Sequence, residues 1–482
     1  MLGFKTNTFE FLCVLMLGLG RMCILTGYDT QSFVLVSVIH SVYSRDPESF
    51  DPHAGYFGQS TCLAFYMLSC LFSSAFVNLV EPKWTLFIAS CCYTLYQVGF
   101  FFLNQYYYYF ASALMGVGFA LSYSGHSSYL CAHSTRQTLA GNSAIAWAAS
   151  CLSMFLGAGI LATVFTLTGG GASEVEIAEA SADEIFGQSL NSSSAENGHV
   201  GYRTFSDTDI KYMYGALVLV TVCANVIFAL LPSREVENCI EGRDQPKTSF
   251  RDQMHYIIST FVDFKIILLT ILFMYLGLWT MFWIAVYPTT LIFNNNLASY
   301  TYLPVFFGTG VGVGEIVMSL FINAMSKRNK DFELQPTMYI GSTLSAIVIA
   351  LITLSTPVHS TTSPTNELPL LIEPNIVFCL LVSFGIGLAD CCMNNIRTVI
   401  CALAMPHRRT QTFSVSKFWQ SFAGGVMLFV SPYLTMYHYT VILTLSLILS
   451  SILFSIVAEK VKRFERKVTM ENLARAKNQV LV

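Results

Sequence analysis

The chain has 482 residues, of which 54% are hydrophobic and only 11% are charged, with 26 Lys and Arg against 29 Asp and Glu. Soluble proteins carry about 25% charged residues, so this composition cannot cover a water-exposed surface and predicts an integral membrane protein. The formal net charge of -3 and the absence of a dominant basic block argue against a nucleic-acid partner.

Twelve apolar stretches are long enough to cross a lipid bilayer, because about 20 helical residues span its hydrocarbon core of about 30 Å. Lipid offers no hydrogen-bond partner for backbone groups, so these stretches are predicted to be helices and the fold class to be all-α. The predicted spans are residues 9–40, 56–80, 84–103, 106–131, 143–167, 212–232, 266–292, 301–325, 337–356, 373–403, 413–436 and 438–458.

The first span could instead be a secretory signal, but Arg21 and Asp29 interrupt its apolar run. With the N-terminus in the cytosol, most Lys and Arg fall on the cytosolic side, and only Arg45, Arg203 and Lys211 fall outside. The positive-inside rule therefore predicts a multi-pass protein of the plasma membrane or an endomembrane, with both termini in the cytosol.

The loop between the fifth and sixth spans, residues 168–211, is predicted to be external. It contains Asn191-Ser192-Ser193, the only N-glycosylation sequon of the chain, so a glycoprotein is expected if the match is not due to chance. None of the 14 cysteines lies in a predicted external loop, so no disulfide is predicted. The sequence contains no residues at the spacing typical of a metal, redox or hydrolase site, so no metal, no cofactor and no enzymatic activity are expected.

A repeat is visible within the chain. The fourth span contains Gly-Val-Gly-Phe-Ala at residues 116–120, and the tenth contains the similar Gly-Ile-Gly-Leu-Ala at 385–389. Each is followed by polar residues and then by a cytosolic His-x-x-x-Gln-Thr segment, which begins at His133 in the first copy and at His407 in the second. The offset of six spans predicts two parallel six-helix halves, as in major facilitator proteins.

Four segments resemble those of the UNC-93-like family within that superfamily. They are residues 141–147 (Gly-Asn-Ser-Ala-Ile-Ala-Trp), 310–315 (Gly-Val-Gly-Val-Gly-Glu), 387–390 (Gly-Leu-Ala-Asp) and 417–421 (Lys-Phe-Trp-Gln-Ser). The resemblance covers nearly all of the chain and implies two six-helix bundles. Because that family is known for ion-channel regulation and receptor escort, it also implies an accessory role. The usual Asp-Arg-x-Gly-Arg loop of the superfamily is missing between Val80 and Trp84, which is unlike ordinary transport gating.

The predicted organisation has four parts. Residues 1–232 form the N-terminal bundle, 233–264 a cytosolic linker, 265–458 the C-terminal bundle and 459–482 a basic cytosolic tail. The linker contains apolar residues at helical spacing, which predict one face lying on the inner leaflet: Phe250, Met254, Ile257, Ile258 and Phe261. For residues 310–314, close helix packing is expected rather than a dinucleotide loop, because no strand precedes them.

Charges inside spans are the strongest functional signal, because each costs about 2.5–3.5 kcal/mol unless it is paired or hydrated. Glu315, Asp390 and Lys417 are predicted to share one layer, with Lys417 paired to Asp390 or Glu315. Arg397 is expected to extend to the headgroups.

Helices one, four, seven and ten line the central cavity in the superfamily that this chain resembles. That resemblance makes polar residues on the first, fourth and tenth spans candidates for a cavity: Arg21, Asp29, Gln31, Ser124, His126, Asn394 and Asn395. His126 alone is more typical of a hydrogen-bonded structural residue than of a proton carrier.

Two function classes remain open. The first is a regulatory or accessory subunit of an ion channel, of the potassium-channel type, or an escort for a receptor. The second is a secondary transporter of a small solute or ion. The family resemblance and the missing loop favour the first, whereas the fold and the polar residues in the spans are compatible with the second.

Overall fold

The structure is a computed structural model that describes residues 6–135, 138–167, 205–234, 250–294, 302–328, 334–405 and 408–480, together with the single residues 239, 297, 300 and 332. Within these residues the regular structure is helical, apart from two isolated bridges that pair Thr135 with Cys239 and Asn294 with Thr365. The all-α prediction is confirmed. The predicted glycosylation site Asn191 lies outside the described residues.

The N-terminal half and the linker contain eight described helices. They are α1 (Thr6–Arg45), α2 (Ala54–Cys70), α3 (Ser73–Val80), α4 (Pro82–Val98), α5 (Gln105–Ala132), α6 (Leu139–Leu167), α7 (Asp207–Leu230) and the linker helix α8 (Phe250–Phe261). Capping side chains determine where several helices begin, because they accept hydrogen bonds from the first backbone N–H groups, which have no partner within the helix. Asn104 caps α5, and Ser206 forms a capping box with Asp209 at α7.

The C-terminal half is built in the same way. Its helices are α9 (Phe264–Met281), α10 (Tyr287–Ile292), α11 (Leu303–Arg328), α12 (Gln335–Ser355), α13 (Ile376–Ala404), α14 (Arg409–Val430) and α15 (Met436–Val480). A π-helical segment, Phe282–Val286, joins α9 to α10, so the seventh span changes its hydrogen-bond register midway.

In the described part of the chain, nine helices are long and apolar enough to cross a membrane, and the pair α2 and α3, bent by 66°, makes a tenth span. The two remaining predicted spans correspond to α5 and α14, with 28 and 22 residues. These two helices are less apolar because part of their surface carries polar side chains that meet neighbouring helices. For example, the Ser124 hydroxyl donates to the Ser73 hydroxyl at 2.7 Å.

The helix contacts follow the predicted repeat. In the N-terminal half α5 packs against α2 and α4, and in the C-terminal half α13 packs against α11 and α12. The halves meet where α2 packs against α14 and α6 packs against α11. Shifting each helix by six spans turns the contact of α2 with α14 into the contact of α11 with α6, as expected for two related bundles.

Small residues allow this close packing. A Cβ atom on Gly314 would collide with the backbone oxygen of Phe384, and one on Gly387 would collide with that of Val311. A Cβ atom on Gly312 would lie 2.9 Å from the Met154 Cβ, across the contact between the halves. The packing prediction for residues 310–314 is confirmed.

Candidate functional site

The two halves are closed against each other on the side away from α8. Phe33 of α1 packs edge-on against Phe307 of α11, with ring centroids 5.3 Å apart, and its ring also lies 6.5 Å from that of Trp283. The Tyr56 hydroxyl donates to the backbone oxygen of Thr361 at 2.7 Å. These contacts join the halves across the end of the molecule opposite the linker.

On the linker side the walls between the halves are polar and accessible. Ser127 of α5 and Thr398 of α13 are exposed, although both lie on membrane-spanning helices. The intramembrane charges Arg21, Asp29, Glu315 and Lys417 are likewise only half-buried, and charges at this depth are favoured beside water rather than lipid. The arrangement therefore indicates a water-accessible cleft between the halves that is closed on the far side.

Six charged residues of the membrane-spanning helices lie around this cleft, and we call them the central charge cluster: Arg21, Asp29, Glu315, Asp390, Arg397 and Lys417. The charges of Asp29, Glu315 and Asp390 interact with one another, as do those of Lys417, Arg21 and Arg397. Charges of opposite sign also interact, Asp29 with Arg21 and Asp390 with both Arg397 and Lys417. The structure thus brings together the intramembrane charges of both halves.

Asp390 is the best-anchored member of the cluster. The Trp283 indole N–H donates to its Oδ1 at 3.0 Å, and the Asn394 amide donates to its Oδ2 at 2.7 Å. Trp283 belongs to the π-helical segment, and such segments are frequent at functional sites because they re-aim side chains. The broken seventh span thereby holds a carboxylate of the tenth.

Lys417 does not form the predicted ion pair. Its ammonium donates to the Gln420 side-chain oxygen at 3.0 Å and lies 5.1 Å from the ring centroid of Tyr123. Both oxygens of Asp390 already accept hydrogen bonds, and the Gln420 oxygen lies one turn along the same helix as Lys417. The pairing prediction was wrong because a neutral acceptor is closer than either acid.

The prediction for Arg397 was also wrong. Arg397 is only 6% exposed, and its guanidinium donates to the same Gln420 oxygen at 2.6 Å instead of extending to the headgroups. Because α13 continues to Ala404, Arg397 lies inside the bundle rather than at the membrane surface.

Asp29 and Glu315 differ from Asp390. Both side chains are half-buried, and no described side chain or backbone group donates a hydrogen bond to either carboxylate. Arg21 lies with its guanidinium carbon 5.7 Å from the ring centroid of Trp147. These three residues therefore carry charges that the described residues leave without a hydrogen-bonded counter-charge.

Two cavity candidates belong to the interior of the N-terminal half. Gln31 is fully buried, and its amide donates to the Tyr96 hydroxyl of α4 at 3.1 Å. The contact between Ser124 and Ser73 likewise joins α5 to α3 within one half. Both contacts join neighbouring helices of the N-terminal half.

The other candidates lie near the cluster. His126 is half-buried, its Nδ1 has no partner among the described residues, and its charge would interact with that of Arg21. The Asn394 amide is held by Asp390, and the Asn395 amide nitrogen is buried with no described partner. The sequence did not indicate Trp283 or Tyr123 as site residues, and Gln420 entered only as part of the segment 417–421, because uncharged residues are common in spans and carry no comparable signal.

The linker helix α8 forms where predicted, but it is rotated relative to the expectation. Ile257 is only 2% exposed, and Phe261 packs edge-on against Phe418 of α14 at 5.1 Å. Phe250 and Ile258 are exposed, so only part of the apolar face is available to a lipid surface. Phe261 attaches the helix to the C-terminal half, whereas Phe250 stacks on Phe72 of the N-terminal half with ring centroids 6.4 Å apart.

The connection between α3 and α4 is a single residue, Glu81, with a φ of 74°. A positive φ in a non-glycine residue is uncommon and marks a tight turn. The superfamily's usual loop, already missing from the sequence, has no room in this connection.

Comparisons with known proteins agree with this architecture. The profile of the family described as "Ion channel regulatory protein UNC-93" matches residues 46–455. The "UNC93-like protein MFSD11" of Xenopus laevis is 23% identical over 456 residues, which cover 90% of this chain and 93% of that protein.

Among solved structures, a mutant of the peptide transporter POT in complex with alafosfalin has a TM-score of 0.61 at 11% identity, covering 96% of this chain and 99% of the other. The proton:xylose symporter XylE bound to 6-bromo-6-deoxy-D-glucose has a TM-score of 0.60 at 13% identity, covering 95% and 96%. These structures show the fold of the major facilitator superfamily. The chain belongs to the UNC-93 family, within that fold.

Proposed function

We propose that this chain is a non-enzymatic accessory subunit that regulates an ion channel or escorts a membrane receptor. The observation that carries this proposal is the family match over residues 46–455. The one-residue connection at Glu81 supports it, because a turn this short has no room for the gating loop typical of transporters in the superfamily. A potassium channel is the partner class that we propose for the first trial.

The fold suggests how such a subunit could work. Its two halves join tightly on one side, and on the other side α8 contacts both of them, with Phe250 on Phe72 and Phe261 on Phe418. A partner that binds one arrangement of the halves better than the other would shift the equilibrium between them. Regulation would then require a stable association rather than solute flow.

The test is affinity purification of the tagged full chain from native membranes, with a tagged unrelated multi-pass protein as the control. We expect an ion channel or a receptor to be enriched and, on co-expression, its current or its surface level to change without solute uptake by this chain. The absence of any enriched channel or receptor would contradict the proposal.

A second candidate is a secondary transporter of a small solute or ion. It is favoured by the unpartnered carboxylates of Asp29 and Glu315 beside the cleft, since such residues mark transport pathways in membranes. Solute uptake into proteoliposomes would establish transport if Arg21→Ala abolishes it. The control variant Glu459→Gln, at a partly exposed position, should retain the uptake.

We further propose that the face with α8 is cytosolic, as the distribution of Lys and Arg predicts. Epitope tags at the two ends of the chain should be reached by antibodies only after permeabilisation of the cell. Glycosidase treatment should shift the wild-type chain but not Asn191→Gln. Labelling of either tag on intact cells would refute this orientation.

A further inference from the structure

The central charge cluster is ordered by sign along the membrane normal. On α1, Arg21 precedes Asp29 by eight residues, and on α13, Arg397 follows Asp390 by seven, so each cation is nearer the linker face than the acid on its helix. At about 1.5 Å per residue, these offsets are about 12 and about 10 Å. We call the level of Arg21 and Arg397 the cationic layer, and the level of Asp29 and Asp390, whose charges interact with that of Glu315, the acidic layer. Lys417 lies in the cationic layer, because it shares the Gln420 oxygen with Arg397.

The two layers do not neutralise each other by direct contact. The ion pairs found among the described residues, such as Arg45 with Asp207 and His359 with Glu367, lie elsewhere, and none joins members of the cluster within 4.0 Å. Arg397 is buried, yet its Nε has no described partner. Unpaired charges are costly in this environment, so a bound ligand of matching charge would be stabilised.

The order of the layers restricts the charge of that ligand. A simple anion entering from the linker side would be attracted by Arg21 and Lys417, but the acids behind them would repel it. A simple cation would have to pass the cationic layer before it reached Asp29 and Glu315. A solute with a leading ammonium and a trailing carboxylate would satisfy both layers at once.

We propose that the cleft binds a small zwitterionic solute, with its ammonium at Asp29 and Glu315 and its anionic group at Arg21 and Lys417. Its two charges are separated by more than the 4.0 Å limit of a direct ion pair and by no more than the layer offset of about 12 Å. Asp390 shapes the acidic layer but its oxygens are held by Trp283 and Asn394, which makes it a positioning residue. The site serves a transporter and a ligand-responsive accessory subunit equally, so it does not rest on either proposed function.

The test measures binding to the purified full chain in lipid nanodiscs, with trialanine as the probe, because three extended residues span at most about 10 Å. N-acetyl-trialanine lacks the ammonium, trialanine amide lacks the carboxylate, and alanine has its charges too close together. We expect trialanine to bind at least tenfold more tightly than each of the three. Equal binding of the blocked peptides, or no binding of trialanine, would overturn the proposal.

Variants assign the two ends of the solute. Asp29→Asn should abolish the advantage of trialanine over N-acetyl-trialanine, whereas Arg21→Gln should abolish its advantage over trialanine amide. Glu459→Gln, at a partly exposed position beyond the cluster, should retain the wild-type preferences. If Asp29→Asn does not fold, Glu315→Gln replaces it with the same expectation. Loss of both preferences in both variants would contradict the assignment of the ends.

Because this assay detects binding alone, its failure is distinguishable from failure of the accessory role. A chain that binds none of the probes but still purifies with a channel would refute only the solute site.

Discussion

Asp390 shows how a charged residue inside a membrane span can be structural. The indole of Trp283 and the amide of Asn394 occupy its two oxygens, and the residue is only 6% exposed. Removing the carboxylate would leave two donors without their acceptors, and unsatisfied buried groups are more costly than absent ones.

We expect Asp390→Ala to destabilise the protein by about 2 kcal/mol or more, because each stranded donor costs about 1–3 kcal/mol. Asp390→Asn should destabilise it less, since its amide oxygen can still accept one of the two hydrogen bonds. Asp29→Ala is the matched control and should leave the thermal unfolding temperature in detergent nearly unchanged, because the described residues donate no hydrogen bond to it. Equal losses in Asp390→Ala and Asp29→Ala would refute this account.

Gln420 has an unusual position, because one amide oxygen accepts from two cations. The guanidinium of Arg397 and the ammonium of Lys417 both donate to it. The charge of Lys417 is repelled by those of Arg397 and Arg21 and attracted by that of Asp390, so its removal relieves two unfavourable interactions and loses one favourable one.

We therefore expect Lys417→Ala to fold with normal yield, whereas Gln420→Leu should lower the yield of monodisperse protein in fluorescence-detected gel filtration. The physical reason is that hydrogen bonds to charged groups contribute about 1.5–3 kcal/mol each, and Gln420→Leu removes two. A loss in Lys417→Ala alone would instead indicate that the ammonium is held by an acid.

The sequence predicted the charged residues of the site but not their partners. Arg21, Asp29, Glu315, Asp390 and Lys417 stand out because charges are rare in apolar spans. Which neighbour each one meets depends on the rotation of every helix about its axis, and hydrophobic pattern alone does not determine this for a helix with few polar residues. The misassigned partner of Lys417 is the clearest consequence.

At the scale of elements, the spans were easier to predict than the faces they present. Their existence follows from length and apolarity, although α5 and α14 are less apolar than the other spans. The bounds of α8 also follow from the sequence, but its apolar face could not be divided between protein and lipid without knowing where α14 lies.

Glycine positions on α11 give a test at this scale. We expect Gly314→Ala to destabilise the protein by about 1–3 kcal/mol, because its Cβ would collide with the backbone of α13, which cannot move without separating two helices. Gly159→Ala on α6, where nothing lies within 4 Å, should be neutral or stabilising, since alanine favours a helix by about 0.5–1 kcal/mol. Thermal unfolding of both variants in the same detergent distinguishes the two cases. Equal stability would indicate that α11 and α13 are not in close contact.

At the scale of the whole molecule, the predicted six-span repeat explains which helices join the halves. The contact of α2 with α14 corresponds to that of α11 with α6 after the shift. The Ser60 hydroxyl donates to the Gly425 backbone oxygen at 2.8 Å, which fixes the register of the first contact.

This register predicts a cross-link between the halves. A Cβ atom on residue 425 would lie 3.3 Å from that of Leu63, close to the separation of about 3.5–4.5 Å in disulfides. Leu63→Cys with Gly425→Cys should therefore be linked by copper phenanthroline, as detected by mass spectrometry of the joined peptides. Leu63→Cys with Gly159→Cys should remain unlinked. Failure of the first pair to join would place α2 and α14 in a different register.

The last helix, α15, is 45 residues long, which is more than twice the roughly 20 residues that cross a bilayer. The continuation from residue 464 to Val480 would reach about 25 Å at the usual helical rise. A soluble protein could therefore bind the end of this helix without touching the headgroups. A tilt of about 10° in the last span would move the tip of a continuation of this length by about 4 Å.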